Sequence, residues 1–387
     1  MFYFLSNKIG LTITLAILLI VGICPQFVHA QTNMYKQNVI SGLTMLDYDK
    51  SGAAAYNGEF YLVLSQTGRL YKSYESTYWK ELHTYTVQAN GSTSYLLGSN
   101  IKKLIYDGKQ FVLVSDTMIY TSIDGVSWTE VTLPTHNNSR KEYVFEDIIF
   151  NGKTYYLLAQ DRDKKVNGFY MLGPNYIFMS TDLKTYKTTQ THLQRSIFGE
   201  RPLNSLTTNG TTFIAGGNSS AYSKDGLIWN YQEFPSYLGS GVIWNGEKYM
   251  WAYGNSIYSV DANMKKTQIL YTLPAKVWNP TTKKKEPLTS LSLRTISYNG
   301  NEYIASGSTD GDRKANYKTV FLYSKNGHDW ELQSIVNGNT PIYTILPTPQ
   351  GFLLIGNNVW NVSTQSLPIA TESTKAALDQ ESKKINY

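Results

Sequence analysis

The side chains able to do chemistry in this 387-residue chain gather in polar segments between apolar runs. Asp310 and Asp312 flank Gly311, a spacing that could offer oxygens to Ca²⁺. That ion takes roughly six to eight oxygen ligands, and no third acid follows at loop spacing. Asp161 and Asp163 also alternate, but Arg162, Lys164 and Lys165 dilute their charge. Arg140, Arg162, Arg201, Arg294 and Arg313 are guanidinium forks suited to bidentate contacts with anionic groups. Arg201, Arg294 and Arg313 together could form a cationic cluster. Lys276, Trp278, Lys283, Lys284 and Lys285 make a basic segment with an aromatic, able to meet an anionic polymer or stack on a sugar. The histidines form no His-x-His or His-Glu-x-x-His pair. The expectation is a ligand-binding surface that uses no metal and no cofactor.

The single cysteine, Cys24, lies in an N-terminal apolar segment. One cation, Lys8, precedes an apolar stretch that ends at Pro25. Val28 and Ala30 then occupy the −3 and −1 positions of a small-residue cleavage site. Residues 1–30 therefore read as a secretory signal peptide cut after Ala30. An uncleaved anchor would want ~20 apolar residues, and a lipoprotein would want a small residue where Ile23 stands. Removing 30 of 387 residues leaves 357, residues 31–387, with no cysteine. A fold in an oxidising compartment must then rest on its core. Thiolate catalysis, cysteine zinc sites and iron–sulfur clusters are excluded. Without Lys8 the formal charge falls from +6 to +5, too mild to suggest nucleic acid. The expectation is a secreted or cell-surface monomer with no membrane span after cleavage.

An internal repeat positions these residues. Asn-Gly or Asp-Gly between apolar and aromatic runs recurs at Gly58, Gly108, Gly152, Gly210, Gly246 and Gly300, with a weaker copy at Gly351. The mean spacing is about 49 residues, the length of a four-stranded propeller blade. Asn-Gly is a strong hairpin signal because tight turns of this kind want positive φ at both central residues. A second motif follows, Ser122-x-Asp124-Gly125-x-x-Trp128. It returns with Ser223, Asp225, Gly226 and Trp229, and with Ser324, Asn326, Gly327 and Trp330. Degenerate copies are Ser73-Tyr74-Glu75 with Trp79, Ser180-Thr181-Asp182 with Tyr186, and Ser259-Val260-Asp261. Ser and Asp side chains can bond the N–H groups of a turn, glycine permits the left-handed backbone, and tryptophan supplies an apolar plate.

These residues resemble the Asp-box, or BNR, repeat of sialidase-type β-propellers, Ser-x-Asp-x-Gly-x-x-Trp, with one residue fewer between Asp and Gly. The resemblance implies an all-β, seven-bladed propeller of four-stranded antiparallel blades over residues 31–368. It is unspecific for activity, since Asp boxes occur in glycosidases and in non-catalytic propellers. A sialidase would need an arginine triad and a Tyr–Glu pair with an acid/base Asp. The early Phe/Tyr-Arg-Ile-Pro motif that carries the first arginine is absent here.

In blade two, strands A to D are expected at Lys102–Tyr106, Lys109–Ser115, Met118–Ser122 and Ser127–Leu133. The A–B and C–D turns then share one face, where they are short and repetitive. The B–C loops and D–A connections share the other face and vary in length. Expanded loops are expected at Asp161–Asn175 and Thr309–Lys318, and long connections at His83–Asn100, Leu133–Tyr143, Gln190–Asn204 and Pro274–Leu291. A rigid scaffold with variable loops on one face puts function there. The last blade lacks a fourth strand, and Met34–Ile40 is expected to supply it and close the ring. Residues 369–387 read as a tail, frayed or weakly helical. The functional expectation is a non-catalytic propeller that binds a glycan, a cell-wall polymer or a protein through the loop-rich face. A sialidase-like glycoside hydrolase is the alternative. A further one is an assembly or stability factor, since photosystem II assembly-factor propellers are also similar.

Overall fold

The computed structural model describes residues 53–383 apart from 66–67, 83–84, 88–92, 95–99, 135–142, 162–163, 167–168, 172, 192–194, 197–198, 201, 239–240, 280–282, 288–290, 310–317, 338–341, 357–358 and 364–370. The fold is a seven-bladed β-propeller. The innermost strands of the blades are Ala53–Tyr56, Ile101–Tyr106, Tyr143–Phe150, Leu203–Thr208, Val242–Trp244, Leu291–Tyr298 and Ile342–Thr348. Each packs against the next around the axis, and the last packs against the first. Every blade is an antiparallel meander running outward in chain order.

The blade sequences suit this packing. A blade has neighbours on both faces, so its second strand is buried on both sides and reads as a continuous apolar run. Tyr61–Leu64 and Phe111–Ser115 are buried throughout. Alternate residues then serve different interfaces. Leu62 and Leu64 enter the core shared with blade two, whereas Val63 enters the core shared with blade seven. Such a core lies at every junction, and the seam between blades seven and one is closed by Ala54, Val63 and Tyr71 against Leu353, Ile355 and Val359. Asn361 also donates to the carbonyl of Ser76 across that seam. Blade seven contributes three described strands, and Met34–Ile40, expected as its fourth, lies outside the described residues.

The hairpin turns differ from the sequence expectation in one respect. Only their glycines take positive φ, for instance 97° at Gly58 and 94° at Gly108. The preceding Asn or Asp keeps ordinary φ and works through its side chain. Asn57 Oδ1 accepts from the amides of Glu59 and Phe60 at 2.9 and 2.8 Å. Each turn is thus held by an acceptor on its first residue.

The Ser–Asp turns repeat one geometry. Ser122 Oγ accepts from Gly125 N at 2.9 Å, Asp124 Oδ1 accepts from Val126 N and Ser127 N at 2.8 Å, and Trp128 Nε1 donates to Gly125 O at 3.1 Å. The same bonds recur at Ser223, Asp225 and Trp229 and at Ser324, Asn326 and Trp330. Degenerate copies keep the shape under strain. Leu183 and Ser76 occupy the glycine position at φ 56° and 61°, bonded by Tyr186 and Trp79. Glu75, one methylene longer than Asp, leaves its Oε2 buried without a hydrogen bond.

The expanded connections carry small hairpins of their own. Tyr85–Val87 and Thr93–Ser94 add to the outer edge of blade two, Tyr85–Val87 pairing in parallel with Ser127–Glu130. Lys164–Val166 pairs with Phe169–Met171, Arg195–Ser196 with Gly199–Glu200, and Lys276–Asn279 with Lys284–Pro287. Of the C-terminal residues, expected as a tail, frayed or weakly helical, Glu372–Lys383 form helix α1, docked on blade one. Leu378 is fully buried there, and Glu381 receives Lys72 Nζ and Tyr74 Oη, both at 2.8 Å. No helix among the described residues is long and apolar enough to cross a membrane.

Candidate functional site on the loop-rich face

Five of the inner strands are irregular at one equivalent position. Their pairing skips a residue between Ile101 and Lys103, Phe145 and Asp147, Leu203 and Ser205, Leu293 and Thr295, and Ile342 and Thr344. The skipped residues are Lys102, Glu146, Asn204, Arg294 and Tyr343. A bulge re-aims the side chains around it, and these five ring the axis at the loop-rich end.

Two acids stand together in this belt, and lysines from the preceding blade answer both. Lys102 Nζ lies 2.7 Å from Glu146 Oε2, and Lys103 Nζ lies 3.3 Å from Asp147 Oδ1. Asp147 is 4% exposed, and its oxygens also accept from Ile148 N at 2.8 Å and from Leu206 N in blade four at 2.7 Å. The Asp147 carboxylate therefore joins three successive blades. Both acids are held as ion-pair acceptors.

The second feature lies off the axis, between blades four and five. A groove of about 320 Å³ opens between residues 217–220 at the B–C turn of blade four, Tyr231 and residues 233–238 of the connection that follows it, and Tyr253 of blade five. Tyr231 and Tyr237 are 45% and 48% exposed beside it, and Tyr253 meets Tyr237 edge-on at 5.6 Å. The connection is pinned from beneath. Phe234 and Leu238 enter the core between blades four and five, and Trp251 Nε1 donates to Ser236 Oγ at 2.9 Å. A Cβ at Gly216 would lie 2.7 Å from Leu238 Cβ, so only glycine lets the wall approach the turn this closely.

The residues singled out from sequence are distributed unevenly. Arg294 is exposed in the axial belt. Asp161 ends strand Tyr155–Asp161 and is 1% exposed, packed beneath Gly173 instead of lying on an accessible surface. Trp278 lies on strand Lys276–Asn279, in register with Lys285, and its side chain lies outside the described residues. Arg140, Arg162, Arg201, Asp310, Asp312 and Arg313 lie outside them too. Among the described residues no group of three His, Cys, Asp or Glu could hold a metal ion.

The belt was missed in sequence, although Lys102, Glu146, Asn204 and Arg294 each stand six residues before a turn glycine. Nothing in local composition flags the groove tyrosines among the 31 in the chain.

No family model and no curated protein matches the sequence. Its structural neighbours are propellers. A catalytically inactive virginiamycin B lyase of Staphylococcus aureus with quinupristin aligns at a TM-score of 0.56 and 12% identity, over 86% of this chain and 100% of that one. A chain of the mitotic checkpoint complex aligns at 0.53 and 11% identity, covering 86% and 96%. The extracellular domain of a one-component system of B. thetaiotaomicron aligns at 0.52 and 12% identity over 88% of this chain, which spans 41% of that one. At these identities the likeness is one of fold.

Proposed function

We propose that this chain is a secreted, non-catalytic β-propeller that binds a glycan or a protein through its loop-rich face. The observation that carries the reading is the open groove between blades four and five, with exposed tyrosines on a pinned backbone. Recesses with aromatic walls and a few polar groups are where ligands sit. The turns at Ser122, Ser223 and Ser324 keep the resemblance to Asp-box propellers, which include non-catalytic members. The test is a glycan array probed with residues 31–387, paired with a hydrolysis assay on every hit. Binding with the glycan recovered intact supports the proposal, and release of a shortened product overturns its non-catalytic part.

A further inference from the structure

We infer that the groove between blades four and five holds one uncharged pyranose ring of a glycan, stacked on tyrosine and gripped at its rim by Asn218 and Glu233. The inference rests on the reading of the loop-rich face as a binding face and names the chemistry of its occupant.

Large rings are costly to leave in water, yet Tyr231 and Tyr237 stay nearly half exposed at the mouth of a recess. Tyr237 and Tyr253 stand at 71° to each other, forming a corner with one flat wall and one edge. A pyranose has an apolar face of C–H groups and a rim of hydroxyls, and such a corner offers both kinds of contact. The turn that floors the groove is made of Gly217, Asn218, Ser219 and Ser220, so space is left where a larger side chain would fill it. Its volume of about 320 Å³ is at the small end of ligand pockets, roughly 300–1,000 Å³. That suits one ring of a chain that continues into solvent.

Charge selects among sugars. Among the described residues Glu233 is the only carboxylate or basic side chain lining the groove. Its carboxylate can accept from two sugar hydroxyls, whereas among the described residues no cation lines the groove to meet a sugar acid or a phosphate. The backbone argues against an extended peptide. Peptides that add to a sheet need free main-chain groups along an edge. Here Asn218 N already donates to Pro202 O at 3.0 Å, and Gln232 N donates to Ser220 O at 3.2 Å.

The test titrates the full chain with maltotriose, cellotriose and N,N′,N″-triacetylchitotriose, with 3′-sialyllactose as the charged control, by calorimetry. At least one neutral trisaccharide is expected to bind in the millimolar range or tighter, with 3′-sialyllactose weaker. Tyr237→Ala and Tyr253→Ala should each weaken binding about tenfold, which is ~1.4 kcal/mol. Tyr237→Phe should retain it, because stacking survives loss of the hydroxyl. Lys109→Ala, exposed in a hairpin turn of the opposite face, should leave it unchanged. An unaltered melting temperature shows that each variant has folded. A sugar that binds equally well to the tyrosine variants, or that prefers the charged control, overturns the groove assignment. If Arg294→Ala or Lys285→Ala then weakens that sugar, the loop-rich face stands and only the groove is wrong. Absence of binding by all three neutral sugars also overturns the inference, and leaves the broader reading to be decided by the array.

Discussion

Replacing Asp147 separates a structural acid from a chemical one. The carboxylate is 4% exposed, and it accepts from Leu206 N at 2.7 Å and Ile148 N at 2.8 Å. Asp147→Ala removes both acceptors. Leu206 is itself 5% exposed, so its amide loses its partner out of reach of water. An unsatisfied buried donor costs ~1–3 kcal/mol. The lysine partner adds little, because the Lys103 side chain is 42% exposed and returns to water, a loss of ~0–1 kcal/mol. The expected destabilisation is therefore about 1–4 kcal/mol for the alanine variant. Asp147→Asn keeps one carbonyl oxygen for Leu206 and should cost about half as much. Urea denaturation followed by tryptophan fluorescence measures the loss, and hydrogen exchange at the Leu206 amide localises it. Variants within ~0.5 kcal/mol of the parent, with Leu206 still protected, would refute the assignment of Asp147 as an inter-blade staple. Glycan cleavage abolished by Asp147→Asn without loss of stability would make it a catalytic acid instead.

Gly125→Ala should cost more than Gly108→Ala. Both carry positive φ, worth ~1–2 kcal/mol, but a Cβ at Gly125 would lie 2.7 Å from Leu62 Cδ1 across the blade interface while Gly108 has open space. Overpacking should add ~1–3 kcal/mol, read as a lower urea midpoint for Gly125→Ala. Glu381→Gln should loosen helix α1, because the Lys72 side chain is 5% exposed and its counterion lies 2.8 Å away. A loss of about 1–3 kcal/mol is expected, with faster amide exchange across Glu372–Lys383. The Ser–Asp turns should be acid-sensitive. Amides of Thr185 and Lys184 hold Asp182 down at about 2, and those of Ile228 and Leu227 lower Asp225. At Asp124 burial pushes upward, but the amides of Ser127 and Val126 prevail and the value falls. Depressed carboxylates contribute stability that is full above about pH 4 and lost as pH falls toward about 2. Melting temperature should therefore drop less in Asp182→Asn than in the parent over that range.

Much of the architecture was legible because it rests on local rules repeated seven times. The glycines at 58, 108, 152, 210, 246 and 300 mark the inner hairpins, since their backbone requires positive φ. Trp128, Trp229 and Trp330 mark the outer turns, since each is buried and bonds the carbonyl three residues back. What escaped was set by contacts between distant segments. Lys102 and Glu146 look like ordinary strand residues until neighbouring bulges bring them to 2.7 Å. Asp161 looked like a loop acid because its alternation with Asp163 was visible and the packing of Gly173 over it was not. Helix α1 has weak apolar character of its own, and it is ordered by Lys72, Tyr74 and Lys80 of blade one, some 300 residues earlier in the chain. The groove depends on the approach of Leu238 to Gly216, which no local pattern announces.

The most direct test of the account is hydrogen exchange on residues 31–387, with and without a saturating glycan or protein ligand found by array or pull-down. The account predicts slowed exchange in the B–C turns and D–A connections, foremost at residues 217–220 and 231–238, with the ligand recovered intact. Protection confined to the Gly58, Gly108 and Ser122–Trp128 turn face, or recovery of a cleaved ligand, would contradict it.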